Sequence, residues 1–211
     1  MKVGILFDLD GTLLDTLGDL TDATNYALRH HGYPERTIGE IRTFVCNCAA
    51  NQIRLSAPAG VDYEAVLATY KPYYDTHCQI KTAPYPGILQ ALEELKDYPM
   101  AVVSNKPHSA VTVLSKRYFG DIYARGEQSD CPRKPEPDMV YRTMEALGVE
   151  KCVYVGDSEV DVRTAKHAGV PCLSVLWGFR DREVLEAEGA EFFCNDPKNL
   201  VNDIKKIIES M

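Results

Sequence analysis

The run Val3–Phe7 is apolar and ends at once in Asp8-Leu9-Asp10-Gly11-Thr12. A short apolar run bounded by turn residues reads as a strand buried on both faces, as in the middle of a parallel sheet. Two carboxylates one residue apart at the end of such a strand are costly, because like charges repel and burial deepens the penalty. A divalent cation is the natural compensation. Mg²⁺ takes hard oxygen ligands and keeps room for water and a phosphate oxygen. In that setting Asp8 suits a metal-assisted nucleophile and Asp10 a proton donor to a leaving group.

The rest of the chain alternates strands and helices around one irregular insert. Asp15 or Thr16 is positioned to cap a helix running to about His31, which ends at Gly32 and Pro34. Thr37-Ile38-Gly39-Glu40 has capping-box spacing, and Asp62 is placed to cap a helix whose apolar side includes Val66, Leu67, Tyr70 and Tyr74. No convincing strand lies between residues 16 and 82. From Pro86 the alternation resumes, with a helical stripe of Ile88, Leu89, Leu92 and Leu95 and a short strand over 100–103. A helix over 107–119, a strand at 122–124, a helix over 138–147, a strand over 152–155, a helix over 158–168 and a strand over 172–176 follow. This predicts an α/β fold: a Rossmann-like, mostly parallel sheet with helices on both faces and a small all-α unit inserted after the first strand. Residues 1–15 and 83–211 form the core, and residues 16–82 the insert.

Composition narrows the function. A net charge of −8 argues against a nucleic-acid binder, which would carry a basic face. Any phosphate substrate must then be drawn locally, by a metal and a few cations. The apolar run Val3–Phe7 is too short for a signal peptide, no stretch approaches a membrane span, and the seven cysteines are scattered. Free thiols in a reducing cytoplasm are the expectation.

In open parallel sheets ligands bind beyond the carboxyl ends of the strands. The chemistry-bearing residues fall there. Asp8 and Asp10 end the first strand, Ser104-Asn105-Lys106-Pro107 follows the second, Gly156-Asp157-Ser158 follows a later one, and Arg133-Lys134-Pro135-Glu136-Pro137 precedes a helix. A lone lysine is usually solvated. Lys134, flanked by two backbone-restricting prolines, looks placed. Lys106 is expected near the rim, without a catalytic role.

With these residues the chain resembles the haloacid dehalogenase superfamily of phosphohydrolases. All four signature segments stand in order: Asp8-Leu9-Asp10-Gly11-Thr12, Ser104-Asn105-Lys106, Lys134-Pro135 and Gly156-Asp157-Ser158-Glu159-Val160-Asp161. The likeness covers essentially the whole chain, and the insert corresponds to the family's cap domain. Within the family, residues 7–16 and Ser104-Asn105-Lys106-Pro107 look most like the phosphoglycolate phosphatase branch.

The resemblance implies a Mg²⁺-dependent phosphatase of small phosphorylated metabolites, cytoplasmic, a monomer or homodimer, with neither nucleic acid nor membrane as partner. It implies that Asp8 attacks phosphorus and that Asp10 acts as acid and then base. Mg²⁺ would be held by the Asp8 and Asp157 carboxylates and the Asp10 backbone carbonyl, with Asp161 behind them. Ser104, helped by the Asn105 amide, would bind a phosphoryl oxygen, and Lys134 would stabilise the transferring group. The residues expected around the phosphate are Asp8, Leu9, Asp10, Ser104, Asn105 and Lys134.

One departure stands out. The branch commonly carries Gly-x-Gly in its cap, where this chain has Cys46-Asn47-Cys48. Cysteine lacks glycine's backbone freedom, so either the loop is reshaped or the substrate differs. Cys46 and Cys48 with His77 and Cys78 lack the spacing of a soft-metal site. Arg42 and Arg54 are candidate carboxylate or phosphate readers, or simply solvated helix residues. A dehalogenase would not need Asp10 or Asp157, a β-phosphoglucomutase usually differs at residues 104–107, and an inorganic pyrophosphatase shares all four segments. A catalytically silent binding module would lack a catalytic residue, and none is missing.

Overall fold

The structure, a computed structural model, describes residues 2–211. In chain order the elements are β1 (Val3–Phe7), β2 (Leu14–Asp15), α1 (Leu17–His30), α2 (Ile38–Phe44), α3 (Ala49–Ser56), α4 (Tyr63–His77) and β3 (Ala83–Pro84). Next come α5 (Ile88–Glu94), β4 (Met100–Pro107), α6 (His108–Phe119), β5 (Tyr123–Glu127), α7 (Asp138–Leu147) and β6 (Lys151–Gly156). The chain closes with α8 (Glu159–Ala168), β7 (Cys172–Val175), α9 (Arg182–Ala187), β8 (Phe192–Cys194) and α10 (Leu200–Glu209).

Six strands form one parallel sheet in the order β5-β4-β1-β6-β7-β8. Strand alternation explains its two covers. Ile5, Phe7, Val102 and Val153 face α5, α6 and α10, whereas Leu6, Val103, Cys152 and Tyr154 face α7 and α8. β1 lies between β4 and β6, so the chain order runs outward from it in both directions. A crevice opens beyond the carboxyl ends at such a switch point.

The insert leaves and rejoins the core through a two-stranded antiparallel ribbon that pairs Leu14 with Pro84 and Asp15 with Ala83. Its four helices bury Leu20, Ala23, Leu28, Ile41, Ile53, Val66, Tyr70 and Tyr74 among themselves and against the core. The capping signals act as read. Thr37 and Glu40 make a reciprocal capping box, and Asp62 Oδ1 accepts from Glu64 N at 3.0 Å and Ala65 N at 3.3 Å. At the start of α1, Asp15 Oδ1 accepts from Leu17 N at 3.2 Å, while Thr16 makes no side-chain cap bond.

Two expectations need correction. Leu89 is 52% exposed, because α5 turns Ala91 rather than Leu89 inward with Ile88 and Leu92. β4 does not stop at Val103 but runs to Pro107, with a register irregularity against β5, so Ser104, Asn105 and Lys106 sit on the strand itself. Beyond Leu176, α9, β8 and α10 extend the sheet and its cover. Among the described residues no helix is long and apolar enough to cross a membrane.

A side chain without a sequence signature fixes the return of the insert. Asp19 on α1 is buried and accepts from Ile80 N at 3.0 Å, Lys81 N at 2.9 Å, Thr82 N at 2.9 Å and Thr82 Oγ1 at 2.8 Å. These bonds satisfy the backbone just before β3.

Candidate active site

After β1 the backbone turns tightly: Leu13 N and Leu14 N both donate to Leu9 O, at 3.1 and 3.0 Å. This turn leaves Asp8 on the sheet edge, its own N–H still donating to Val155 O at 2.8 Å. Asp8 Oδ1 accepts from Leu9 N at 2.7 Å and faces Lys134 Nζ at 3.0 Å. The Leu9 N–H, expected at the phosphate, is therefore engaged by Asp8, and the Leu9 side chain belongs to the core. Burial pushes the Asp8 carboxyl up to about 7, against the opposing pull of Lys134.

Lys134 is held from every side. Its Nζ donates to Asp161 Oδ1 at 2.7 Å and Tyr154 OH at 3.0 Å, in addition to its contact with Asp8. Burial alone would pull the ammonium down, but Asp161 and Asp8 outweigh it and hold the lysine well above its usual range. Asn105 clamps the lysine's backbone: Nδ2 donates to Lys134 O and Oδ1 accepts from Lys134 N, both at 2.9 Å. The Asn105 side chain thus positions Lys134 and keeps one N–H donor of its amide unspent. Asp161 Oδ2 accepts from Ser158 N at 3.1 Å and Ser158 Oγ at 2.6 Å, so both its oxygens are occupied.

Asp157, on the loop after β6, is fully buried. Its Oδ2 accepts from Phe179 N at 2.7 Å and its Oδ1 from Thr12 Oγ1 at 3.2 Å. Two glycines make the space for it. A Cβ on Gly11, whose φ is 79°, would lie 2.3 Å from Asp157 Oδ2, and one on Gly178 would lie 2.3 Å from Asp157 Cβ. Oxygens of Asp8, Asp157 and Asp161 fall within 4.8 Å of one another. Burial, then Asp161 and Asp8, raise the Asp157 carboxyl well above the usual range. Lys134 contacts Asp8 and Asp161 but not Asp157, so the three buried acids outnumber the ammonium that pairs with them, and their all-oxygen character fits a hard divalent cation.

The acid–base candidate has a partner the sequence did not suggest. Lys106 is not at the rim: its side chain is 2% exposed, and Nζ donates to Asp10 Oδ1 at 2.9 Å and Oδ2 at 2.8 Å. The Asp10 carboxylate therefore stands apart from the three clustered acids, and only its backbone carbonyl is left for the expected metal role. Ser104 is buried beside it, and its Oγ accepts from Lys106 N at 3.4 Å.

The helical insert roofs this constellation. Asp8, Asp10, Ser104, Asn105 and Lys106 from the core and Val45, Cys46, Cys48, Tyr70 and Tyr74 from the insert enclose a cavity of about 40 Å³. Cys46 adopts the left-handed conformation at φ 84°, whereas Cys48 is extended at φ −160° as the residue before α3. The loop thus keeps at Cys46 a backbone state that favours glycine, at roughly 1–2 kcal/mol of strain. Arg42 and Arg54 do not line the cavity. Arg42 Nη2 bonds Asp181 Oδ1 at 3.0 Å, and Arg54 Nη2 bonds Asn51 Oδ1 at 2.8 Å. Arg180 bridges core and insert, donating to Arg42 O and Val45 O at 2.8 Å each while its Nε bonds Glu159 Oε2 at 2.7 Å. No motif marked Arg180, and Lys106, though inside the Ser104-Asn105-Lys106 segment, was expected to have no catalytic role. Only their distant partners give them meaning.

Comparison with known proteins agrees with this geometry. A family model described as haloacid dehalogenase-like hydrolase matches residues 5–175. A phosphoglycolate phosphatase of Rhodobacter capsulatus is 34% identical over 191 residues, 85% of this chain and 87% of that protein. Phosphoglycolate phosphatase 1 of Pseudomonas aeruginosa is 31% identical over 215 residues, 93% of this chain and 78% of that protein. Among solved structures, a candidate phosphoglycolate phosphatase from Lactobacillus delbrueckii subsp. bulgaricus superposes with a TM-score of 0.89 at 37% identity, covering 96% of this chain and 98% of that one.

Proposed function

The chain belongs to the haloacid dehalogenase-like hydrolase family, and from that premise we propose how this phosphoric monoester hydrolase works and on what. It cleaves a small phosphomonoester, with phosphoglycolate the leading candidate, through a phosphoryl group carried transiently on Asp8. The observation carrying this reading is the placement of Asp8, 3.0 Å from Lys134, among the clustered acids and beside the Lys106-paired Asp10.

Asp8 attacks phosphorus in line as the ester P–O bond breaks, and Asp10 gives a proton to the departing alkoxide. Asp10 then takes a proton from water, the water attacks phosphorus, and Asp8 is released with inorganic phosphate. Lys134 holds the nucleophile in place and balances negative charge on the transferring group. Asn105 and Asp161 position Lys134, and Ser104 offers its hydroxyl to a phosphoryl oxygen. The Asp8 and Asp157 carboxylates and the Asp10 carbonyl would hold Mg²⁺, with Asp161 behind them. When bound, Mg²⁺ supplies the positive charge that offsets the acids and the substrate phosphate. Residues 16–82 act as the cap that excludes water and reads the leaving group.

The relatives' names support phosphoglycolate. A phosphate-release screen over short phosphomonoesters and pyrophosphate, with and without EDTA, tests the reading. Metal-dependent release led by phosphoglycolate, lost in Asp8→Asn, is expected. Undiminished release in EDTA or in Asp8→Asn would refute it.

A further inference from the structure

Resting on the phosphatase reading, we propose that Tyr154 is a positioning residue for the reaction. Its hydroxyl holds the Lys134 ammonium in the orientation that sends an N–H toward Asp8 and the phosphoryl group.

The argument starts from a phenol shut away from water. Tyr154 lies on β6, on the face covered by α7 and α8, and is 0% exposed. A buried hydroxyl has to be partnered, and this one is partnered twice. It donates to Val103 O at 3.1 Å, and Lys134 Nζ lies 3.0 Å from it. The partners come from distant parts of the chain. Val103 is on β4, two strands away across β1, and Lys134 is on the loop before α7. A phenylalanine ring would fill nearly the same space, so packing alone does not call for the oxygen.

Proton accounting fixes the direction of both bonds. A carbonyl can only accept, so the single phenolic proton goes to Val103 O. Burial raises that phenol well above its usual range, so it keeps its proton. Its oxygen then accepts from Lys134, whose ammonium has three N–H donors and no acceptor. One donor goes to Tyr154, a second to Asp161 Oδ1 at 2.7 Å, and the third is left for Asp8 Oδ1 at 3.0 Å. Two fixed bonds set the rotation of the ammonium, and that rotation aims the third. The ring adds to the hold, with its centroid 5.5 Å from Nζ. Val103 also precedes Ser104, at the point where β4 shifts register against β5. The phenol thus ties the strand end that carries Ser104 to the lysine that faces the nucleophile.

A double-mutant cycle asks whether the hydroxyl acts through Lys134 or through packing at large. The proteins are wild type, Tyr154→Phe, Lys134→Ala and the double variant, with circular dichroism as a fold check. kcat and KM are measured with Mg²⁺ on the ester that the phosphate-release screen ranks first, phosphoglycolate by expectation. Tyr154→Phe should lower kcat about tenfold while KM moves by less than about threefold. Once Lys134 is replaced, the same change should move kcat by less than about twofold. If Tyr154→Phe fails to fold, Tyr154→Met, whose flexible side chain refills the space, takes its place under the same criteria. Equal losses in the two backgrounds, or a loss under about twofold with Lys134 present, overturn the positioning role while the phosphatase reading stands. If wild type releases phosphate from no ester in the screen, that reading falls and takes the role of Tyr154 with it.

Discussion

Lys134 Nζ lies 3.0 Å from Asp8 Oδ1, with the two side chains 1% and 7% exposed. Asn105 grips both polar groups of the Lys134 backbone, so the ammonium is aimed by a bond made 29 residues upstream. A preorganised cation beside a buried nucleophile acts at full strength because no water relaxes around it. Replacing Lys134 by Ala should therefore lower kcat by on the order of 10²-fold or more. Lys134→Arg should rescue little, since a planar fork does not fit a point-charge socket. Steady-state kinetics decide, and a loss under threefold contradicts the role.

Asp8 provides a pH prediction. Its folded carboxyl is raised to about 7 from an ordinary 3.8 by burial, so the metal-free protein holds a proton there that the unfolded chain has already lost. The contribution of this group to folding is therefore best at low pH and fades as pH rises through about 7. Metal binding must displace that proton, so Mg²⁺ affinity should fall by up to about tenfold per pH unit below 7. Calorimetric titrations with Mg²⁺ from pH 5.5 to 8, sampled at about half-unit steps, check this. A flat affinity would mean that Asp8 is not a ligand.

Much of this architecture was legible in the chain. Apolar Val3–Phe7 stopping at Asp8 announced a buried central strand with its acids at the ligand edge, and the helix bounds of α7 followed from Asp138 and Gly148. What the sequence concealed were partnerships across long separations. Lys106 read as a rim residue without a catalytic role because its meaning lies in Asp10, 96 residues away. Arg42 read equally as a ligand reader or a solvated helix residue, because its partner, Asp181, lies 139 residues on. Polar Ser104-Asn105-Lys106 read as a loop because strand patterns are recognised by apolar runs, and functional strand ends break that pattern.

Asp19 predicts a stability effect separate from chemistry. Asp19→Ala strands three backbone N–H groups and the Thr82 hydroxyl beside the β3 return. A loss of about 3 kcal/mol is expected, with a drop in melting temperature of roughly 6–12 °C. Thermal unfolding measures it. A drop below about 2 °C would mean that water replaces those bonds without penalty.

Arg180 predicts a kinetic effect without direct contact with the chemistry. It ties Arg42 O and Val45 O of the insert to Glu159 of the core, just before the strained Cys46. Arg180→Ala should loosen this roof and raise KM about tenfold, with a smaller change in kcat. Trp177, the single tryptophan and three residues before Arg180, donates to Thr12 O and should report the change as altered fluorescence. Unchanged KM and emission would show that the roof closes without it.

The central claim is that Asp8 carries the phosphoryl group, and rapid acid quench followed by peptide mass analysis tests it most directly. Asp10→Asn removes the acid of the first step and the base of the second, so after mixing with phosphoglycolate and Mg²⁺ some intermediate should form and then be hydrolysed slowly. The peptide containing Asp8 should gain about 80 Da, the mass of one phosphoryl group, and Asp8→Asn should abolish the gain. A variant that still releases phosphate while that peptide remains unmodified would contradict the account.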